Sequence, residues 1–198
     1  DAALAEGRVD AALHDLPDLP LVRLDAYVLA AAARRRHPFE VFLTRDGRIL
    51  DELEGGERVG SSTALRRAQV LAYREDLKAV GAKGSLETHW KQLEEGHFDG
   101  LVMAATDAER LGWHDRVSEI FTTEVCIPAP GQGALGLEAL ASRKDVLAAV
   151  KSLDDTDAHR AVLAERAWLN ELGGGDDLPA GALANIVDGR LVMEAVVV

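Results

Sequence analysis

Apolar and polar positions alternate along the chain in blocks of strand length and helix length. Short apolar runs that predict strands occur at residues 9–13, 77–82, 98–104 and 134–140. Segments with a helical period of apolar positions lie between or after them, at residues 62–74, 85–95, 106–112, 144–151 and 156–172. Such alternation is typical of βαβ units around a mainly parallel sheet. The pattern therefore predicts an α/β fold.

Turn signals predict two hairpins. Asp46 and Gly47 separate an apolar run at residues 41–44 from a second at 48–50, and Asp188 and Gly189 divide the segment 182–197. Asp-Gly between apolar runs is a sequence that two-residue hairpin turns prefer. We therefore expect an antiparallel strand pair at each place.

The charge balance narrows the classes of partner. The chain has 34 Asp and Glu against 22 Lys and Arg, a formal net charge of −12. This balance disfavours broad nucleic-acid binding, which needs a positive face. The apolar run at residues 26–33 ends at Arg34 and is too short to span a membrane. We expect a cytoplasmic monomer that binds neither nucleic acid nor membrane.

Cysteine and histidine usage bounds the metal chemistry. Cys126 is the single cysteine, and the six histidines show no HxH or HExxH spacing, so we expect no metal site.

The first ten residues have neither a basic n-region nor a long apolar segment, which a signal peptide requires. They begin inside a helical pattern without Met, so we expect the chain to be part of a longer protein.

A candidate anion site lies in VGSSTALRRAQ, residues 59–69. Gly60 allows close approach of a ligand to the backbone, and Ser61 and Ser62 offer hydroxyl donors where a helix is predicted to begin. Arg66 and Arg67 then present two guanidinium groups, which match carboxylates or phosphates. The alternative is an ordinary solvated helix surface.

Further segments give a resemblance to a known family. They read EGRVDAALHDLPDLP at 6–20, LEEGHFDGLVMA at 93–104, IPAPGQGALGLE at 127–138 and ERAWLNELGGGDDLP at 165–179. With residues 59–69, and in this order, they resemble the porphobilinogen deaminase (hydroxymethylbilane synthase) family over the whole chain.

The resemblance implies a multi-domain α/β fold. It has two lobes like those of type 2 periplasmic binding proteins, with a ligand cleft between them, and a small α+β C-terminal domain. The expected division is domain 1 at residues 1–56, domain 2 at 57–121, a return segment to domain 1 at 122–142, and an apparently truncated domain 3 at 143–198.

The resemblance also implies roles for particular residues. Asp18 matches the family's catalytic aspartate, which contacts pyrrole N–H groups and stabilises the cation formed as ammonia leaves. Arg66, Arg67 and Arg110 match arginines that bind the acetate and propionate groups of the pyrroles. Substrate-binding positions are also matched by Ser61, Ser62 and Lys83. Without the resemblance, Asp18 would be an ordinary turn residue between two prolines, and Arg110 a surface helix arginine.

The sequence departs from the family's pattern at several charged positions. Pro17 replaces a lysine, Lys83 and His89 replace arginines, and Glu87 adds a negative charge where carboxylates should dock. Lysine keeps the charge but loses the planar fork, and histidine is mostly neutral at pH 7. These changes predict a weaker site for the growing oligopyrrole.

Asp176 stands where the family has the cysteine that carries its covalent dipyrromethane cofactor. A carboxylate cannot form that thioether, so we expect no cofactor attachment and no dipyrromethane. Cys126 lies in another segment and is expected to be a small buried residue.

Two functions remain open. The first is a divergent transferase of this family that acts on a carboxylate-bearing pyrrole by eliminating ammonia and transferring the methylene group, without the covalent cofactor. The second is a non-catalytic protein that binds a pyrrole or small anion on the same two-lobed scaffold. An ordinary deaminase is disfavoured by Glu87, His89 and Asp176.

Overall fold

The structure is a computed structural model that describes residues 2–21, 25–174 and 178–198. One sheet has three antiparallel strands, with residues 135–140 paired between residues 11–15 and residues 27–32. Its strands are β1 (Ala11–Asp15), β2 (Tyr27–Ala32) and β8 (Leu135–Leu140), and a short helix α1 (Ala2–Ala5) precedes β1. The sheet therefore joins two distant parts of the sequence.

A second sheet has five strands, in the order of residues 78–81, 58–61, 100–104, 40–44 and 119–120, and forms the largest layer. Its strands are β3 (Glu40–Thr44), β4 (Arg58–Ser61), β5 (Lys78–Gly81), β6 (Gly100–Ala104) and β7 (Glu119–Ile120). Strand β4 runs parallel to β5 and β6, whereas β3 runs antiparallel to β6 and β7. The predicted βαβ rhythm is confirmed from β4 to β6, and the rest of the sheet is antiparallel.

The hairpin predicted at Asp46 is wrong. Residues 48–50 form no strand in the described chain, and β3 pairs with β6 and β7 instead. Arg48 bonds to Asp46 and to both carboxylate oxygens of Glu57. These bonds hold the segment as a loop that leads into a 3₁₀ turn at Leu50–Glu52.

Helices cover both faces of the five-stranded sheet. They are α2 (Ala64–Tyr73), α3 (Leu86–Glu94) and α4 (Ala105–Arg110). Side chains alternate between the faces: Val41 and Leu43 join one apolar cluster, and Phe42 joins the other. All five residues of β3 are buried, as expected for a strand covered on both sides.

The last part of the chain is α+β. It contains α5 (Lys144–Val150), α6 (Thr156–Glu171) and a hairpin of β9 (Ala180–Val187) and β10 (Arg190–Val197). The hairpin turn at Asp188 and Gly189 has positive φ at both residues, 50° and 75°, so this prediction is confirmed. Helix α6 contacts β9 and also β2 of the first sheet.

The fold is mixed α/β, as predicted. The division into domains stays a prediction, and β3 shares the sheet of β4–β6 although it precedes the predicted boundary after residue 56. Within the three described ranges, no helix combines the length and the hydropathy needed to cross a bilayer.

Candidate anion-binding cleft

A cleft of about 860 Å³ lies between the loop after β1 and the start of α2. Its volume is within the range of small-molecule sites. Polar and charged side chains from distant segments line it: Asp18, Glu40, Ser62, Thr63, Arg66, Arg67, Gln132 and Arg166. The cleft therefore brings together two carboxylates, three arginines and two hydroxyl groups.

Asp18 lies at the surface of this cleft. Strand β1 ends at Asp15, and a 3₁₀ turn at Leu16–Asp18 follows, with Pro17 early in the turn. Leu16 is buried and Asp18 is exposed. The turn therefore anchors its apolar residue in the core and presents its carboxylate to the cleft.

The turn around Gly131 supports this loop from below. Gly131 has φ +84°, and a Cβ there would lie 2.9 Å from Leu16 Cβ. The sequence needs glycine for both reasons, since another residue would be strained and would displace Leu16. Gln132, the next residue, lines the cleft.

The opposite wall is the start of α2. Thr63 caps the helix by accepting a hydrogen bond from the Arg66 amide at 3.3 Å. Ser62 and Thr63 are exposed in the cleft, whereas Ser61 is buried beneath them. The Ser61 hydroxyl has no hydrogen-bond partner among the described residues. The amide dipoles and hydroxyls at this helix end favour an anion.

Arg66 and Arg67 differ in environment. Arg66 is buried, with Nε 2.9 Å from a carboxylate oxygen of Glu40 and Nη2 3.2 Å from Gln132 Oε1. Burial alone would lower the pKa of Arg66, but Glu40 outweighs it and the pKa lies above its usual value. Arg67 is half-buried and donates from Nη1 to the Ser61 carbonyl. Arg67 is therefore the more accessible cation.

Neither Lys83 nor Arg110 is among the described residues that line the cleft. Both are exposed, and Arg110 donates to Asp107 at 2.8 Å, which raises the pKa of Arg110. Of the residues predicted to bind substrate, the cleft thus unites Ser62, Arg66 and Arg67. Ser61 lies directly behind them.

Three other predicted features have defined positions. Glu87 is exposed on α3, while His89 is 4% exposed, and burial and the Arg66 charge lower the pKa of His89. Cys126 is fully buried, as predicted, and burial raises the pKa of its thiol. Asp176 lies outside the described residues.

Sequence reasoning missed Glu40 and Arg166. Glu40 is the one charged residue of the strand EVFLT and precedes three apolar residues, and that contrast is the signal available in the sequence. Arg166 lies in the ERA segment used for the resemblance, yet its contacts are about 150 residues away in sequence. No local pattern reports such a contact.

The family model described as "Porphobilinogen deaminase, dipyromethane cofactor binding domain" matches residues 1–148. The chain belongs to the porphobilinogen deaminase family. The porphobilinogen deaminases of Pelotomaculum thermopropionicum and Desulforudis audaxviator are 40% and 41% identical to it over 197 residues. Each alignment covers 100% of this chain but 63% and 64% of the relative. The chain therefore spans somewhat less than two thirds of these relatives' length.

Solved structures of binding domains show a looser likeness. The second substrate-binding domain of a putative amino acid ABC transporter from Streptococcus pneumoniae has a TM-score of 0.48 at 10% identity, covering 87% of this chain and 71% of that one. The BvgS VFT2 domain of Bordetella pertussis has 0.47 at 17%, covering 84% and 70%.

The expectation that no dipyrromethane cofactor is involved is wrong. The family model that matches this chain is that of the dipyromethane cofactor binding domain, so the cofactor belongs to the family of this chain. The loss of the cofactor was expected on the basis of one residue, Asp176, which stands in place of the attachment cysteine. The described part of the cleft fits a carboxylate-bearing group, because Arg67 and the exposed hydroxyls of Ser62 and Thr63 are suitable donors.

Proposed function

We propose that this cleft binds porphobilinogen, a carboxylate-bearing pyrrole, and that the protein is a transferase that eliminates ammonia and passes the methylene group to an acceptor pyrrole. The observation that carries the proposal is the meeting of Asp18 with Ser62, Arg66 and Arg67 around one cleft. Asp18 and Arg66, which are 48 positions apart in the sequence, supply opposite charges at one small-molecule site. Membership of the porphobilinogen deaminase family supports the same reaction.

In the proposed chemistry, Asp18 acts on the pyrrole ring. The carbon–nitrogen bond of the protonated aminomethyl group breaks, ammonia takes the electron pair, and a methylene-pyrrole cation remains. The fixed carboxylate of Asp18 accepts a hydrogen bond from the pyrrole N–H and stabilises this positive charge. The acceptor pyrrole carbon then bonds to the methylene carbon and loses its proton.

The α2 side of the cleft holds the substrate's carboxylates. Arg67 and the hydroxyls of Ser62 and Thr63 would donate to them, aided by the helix dipole. Arg66 contributes positive charge mainly through its position, since two of its nitrogens already meet Glu40 and Gln132. The same donors would hold a dipyrromethane, which, when bound, supplies the pyrrole end from which the product chain grows.

The experiment is incubation of the full chain with porphobilinogen. We expect one molecule of ammonia to be released for each pyrrole unit added, with products that increase in mass by pyrrole units. Released ammonia is measured enzymatically and products by mass spectrometry.

Calorimetry on the same preparation separates enzyme from binding protein. Porphobilinogen binding without ammonia release, across several acceptor pyrroles, would support the non-catalytic alternative. If the protein neither binds porphobilinogen nor releases ammonia from it, the proposal that this cleft binds a pyrrole is wrong.

A further inference from the structure

The loop that carries Asp18 turns three backbone carbonyls toward one guanidinium group. Arg166 of α6 donates from Nη1 to the carbonyls of Leu16 and Leu19, at 3.0 and 2.9 Å. Its Nη2 donates to the carbonyl of Pro20 at 2.6 Å. Arg166 is 9% exposed, so these bonds are largely shielded from water. One side chain thus holds the backbone on both sides of Asp18.

An arginine is well suited to this task. Its N–H groups form a rigid planar fork that can meet several carbonyls at once, whereas a lysine ammonium donates from one point. Buried carbonyls that lose their donor cost free energy comparable to a lost hydrogen bond. Without the guanidinium, the Leu19 and Pro20 carbonyls would lose this donor, whereas the Leu16 carbonyl would keep the Leu19 amide.

Other described contacts also hold the loop, and one of them spans Asp18: the Leu19 amide donates to the Leu16 carbonyl at 3.2 Å. The Leu16 amide donates to the Ala134 carbonyl at 3.0 Å, and the Leu16 and Leu19 side chains are buried in the core. Asp18 lies between these anchors with its carboxylate in the cleft. A shift of the carbonyls at either side would move that carboxylate.

We propose that Arg166 is a positioning residue for Asp18: it sets the geometry of the loop so that the carboxylate meets the pyrrole. This inference rests on the proposed function, in which Asp18 stabilises the cation formed as ammonia leaves. Arg166 acts through the loop backbone and not by binding the substrate's carboxylates.

The test is a double-mutant cycle on the full chain with porphobilinogen as substrate. Arg166→Ala and Arg166→Lys are each made with Asp18 intact and with Asp18→Asn. Arg160→Ala is the control, because Arg160 is exposed on the same helix and forms a loose ion pair, 3.9 Å from Asp157.

With Asp18 intact, Arg166→Ala should lower kcat by about 10²-fold, the scale of a 1 Å misplacement at a reacting centre. Arg166→Lys should lose less, and Arg160→Ala should match the wild type. KM should change little. In the Asp18→Asn background, Arg166→Ala should cause little further decrease in kcat, because the carboxylate charge that Arg166 positions is already absent.

Hydrogen exchange of residues 11–21, measured by mass spectrometry, gives a readout that does not depend on activity. Arg166→Ala should speed exchange in this loop and leave α2 unchanged. Unchanged exchange would overturn the inference. If Arg166→Ala does not fold, Arg166→Lys carries both measurements.

Two kinetic outcomes would also overturn it. An equal loss of kcat in both Asp18 backgrounds would make Arg166 a general structural residue, and a raised KM in both would make it a substrate-binding residue. The proposed function fails separately, if Asp18→Asn alone leaves turnover unchanged. Loss of turnover in Asp18→Asn with full turnover in Arg166→Ala refutes only the role of Arg166.

Discussion

Two adjacent arginines in this cleft have different tasks. Arg66 is held by the buried carboxylate of Glu40 and by Gln132, while Arg67 is half-buried and bonded to a backbone carbonyl. Removing one partner of a buried ion pair destabilises the fold, because the other charge stays buried without a partner. Removing a charge at a cleft surface mainly weakens ligand binding. The two positions should therefore respond differently to the same substitution.

We expect Arg67→Ala to weaken porphobilinogen binding by about 1.5–3 kcal/mol, the contribution of a charge-assisted hydrogen bond. Its unfolding free energy should change little. Calorimetry and urea unfolding measure the two quantities. Unchanged affinity would return Arg67 to the ordinary solvated surface.

We expect Arg66→Ala to destabilise the fold by about 3–5 kcal/mol, because it leaves the Glu40 carboxylate buried without its cation. The control is Arg66→Ala combined with Glu40→Gln, which removes the unpaired charge and should recover part of the loss. Urea unfolding measures both. If the double variant is no more stable than Arg66→Ala, the ion pair is not what Arg66 contributes.

At the scale of elements, α3 has a titratable group on its buried face. His89 is buried beside Leu93, and its Nε2 has no hydrogen-bond partner among the described residues. Burial and the positive charge of Arg66 lower the pKa of His89 from the usual 6.5. The packed helix therefore favours the neutral imidazole.

This shift predicts a loss of stability in acid. Below about pH 6.5 the unfolded chain binds a proton at His89, whereas the folded chain keeps the neutral imidazole. The free energy of unfolding therefore decreases as the pH is lowered, until the pH reaches the lower pKa of His89 in the folded state. His89→Gln should show a shallower decline between pH 7 and 5, measured by urea unfolding. Equal slopes in both proteins would contradict the argument.

Local patterns predicted the elements better than the contacts between them. The period of apolar residues identified α2, β5, α3 and β6, because each of these elements packs apolar side chains against one of the two clusters. The hairpin predicted at Asp46 was wrong. Arg48 forms hydrogen bonds with the carboxylates of Asp46 and Glu57, and β3 pairs with β6, which lies far along the chain. Turn residues predict a reversal but not the strand that follows it.

The candidate site shows the same limit. Asp18 and the α2 arginines were identified through the resemblance, and the structure gathers them at one cleft. Their supports, Glu40 and Arg166, act across long sequence separations. Such contacts depend on how the sheets are assembled, which no window of the sequence contains.

At the scale of the whole molecule, α6 connects the parts of the fold. Glu165 is fully buried and accepts hydrogen bonds from Arg35, from the Gly131 amide and from the Ala184 amide. Arg166, the next residue, holds the loop of Asp18. The last part of the chain thus braces the cleft through an ion pair of Glu165 with Arg35 and through the hydrogen bonds of Arg166 to backbone carbonyls.

The central claim is that Asp18 stabilises the positive charge that forms as ammonia leaves a pyrrole bound in this cleft. Asp18→Asn keeps the shape of the side chain and removes its charge. The control is Asp115→Asn, an exposed aspartate in the 3₁₀ turn at His114–Arg116.

The measurement is the rate of ammonia release at saturating porphobilinogen. Asp18→Asn should release ammonia about 10²–10³ times more slowly than the wild type, the scale of losing one preorganised electrostatic partner, with little change in KM because the cation appears only after binding. Asp115→Asn should match the wild type. Equal rates in wild type and Asp18→Asn would contradict the account.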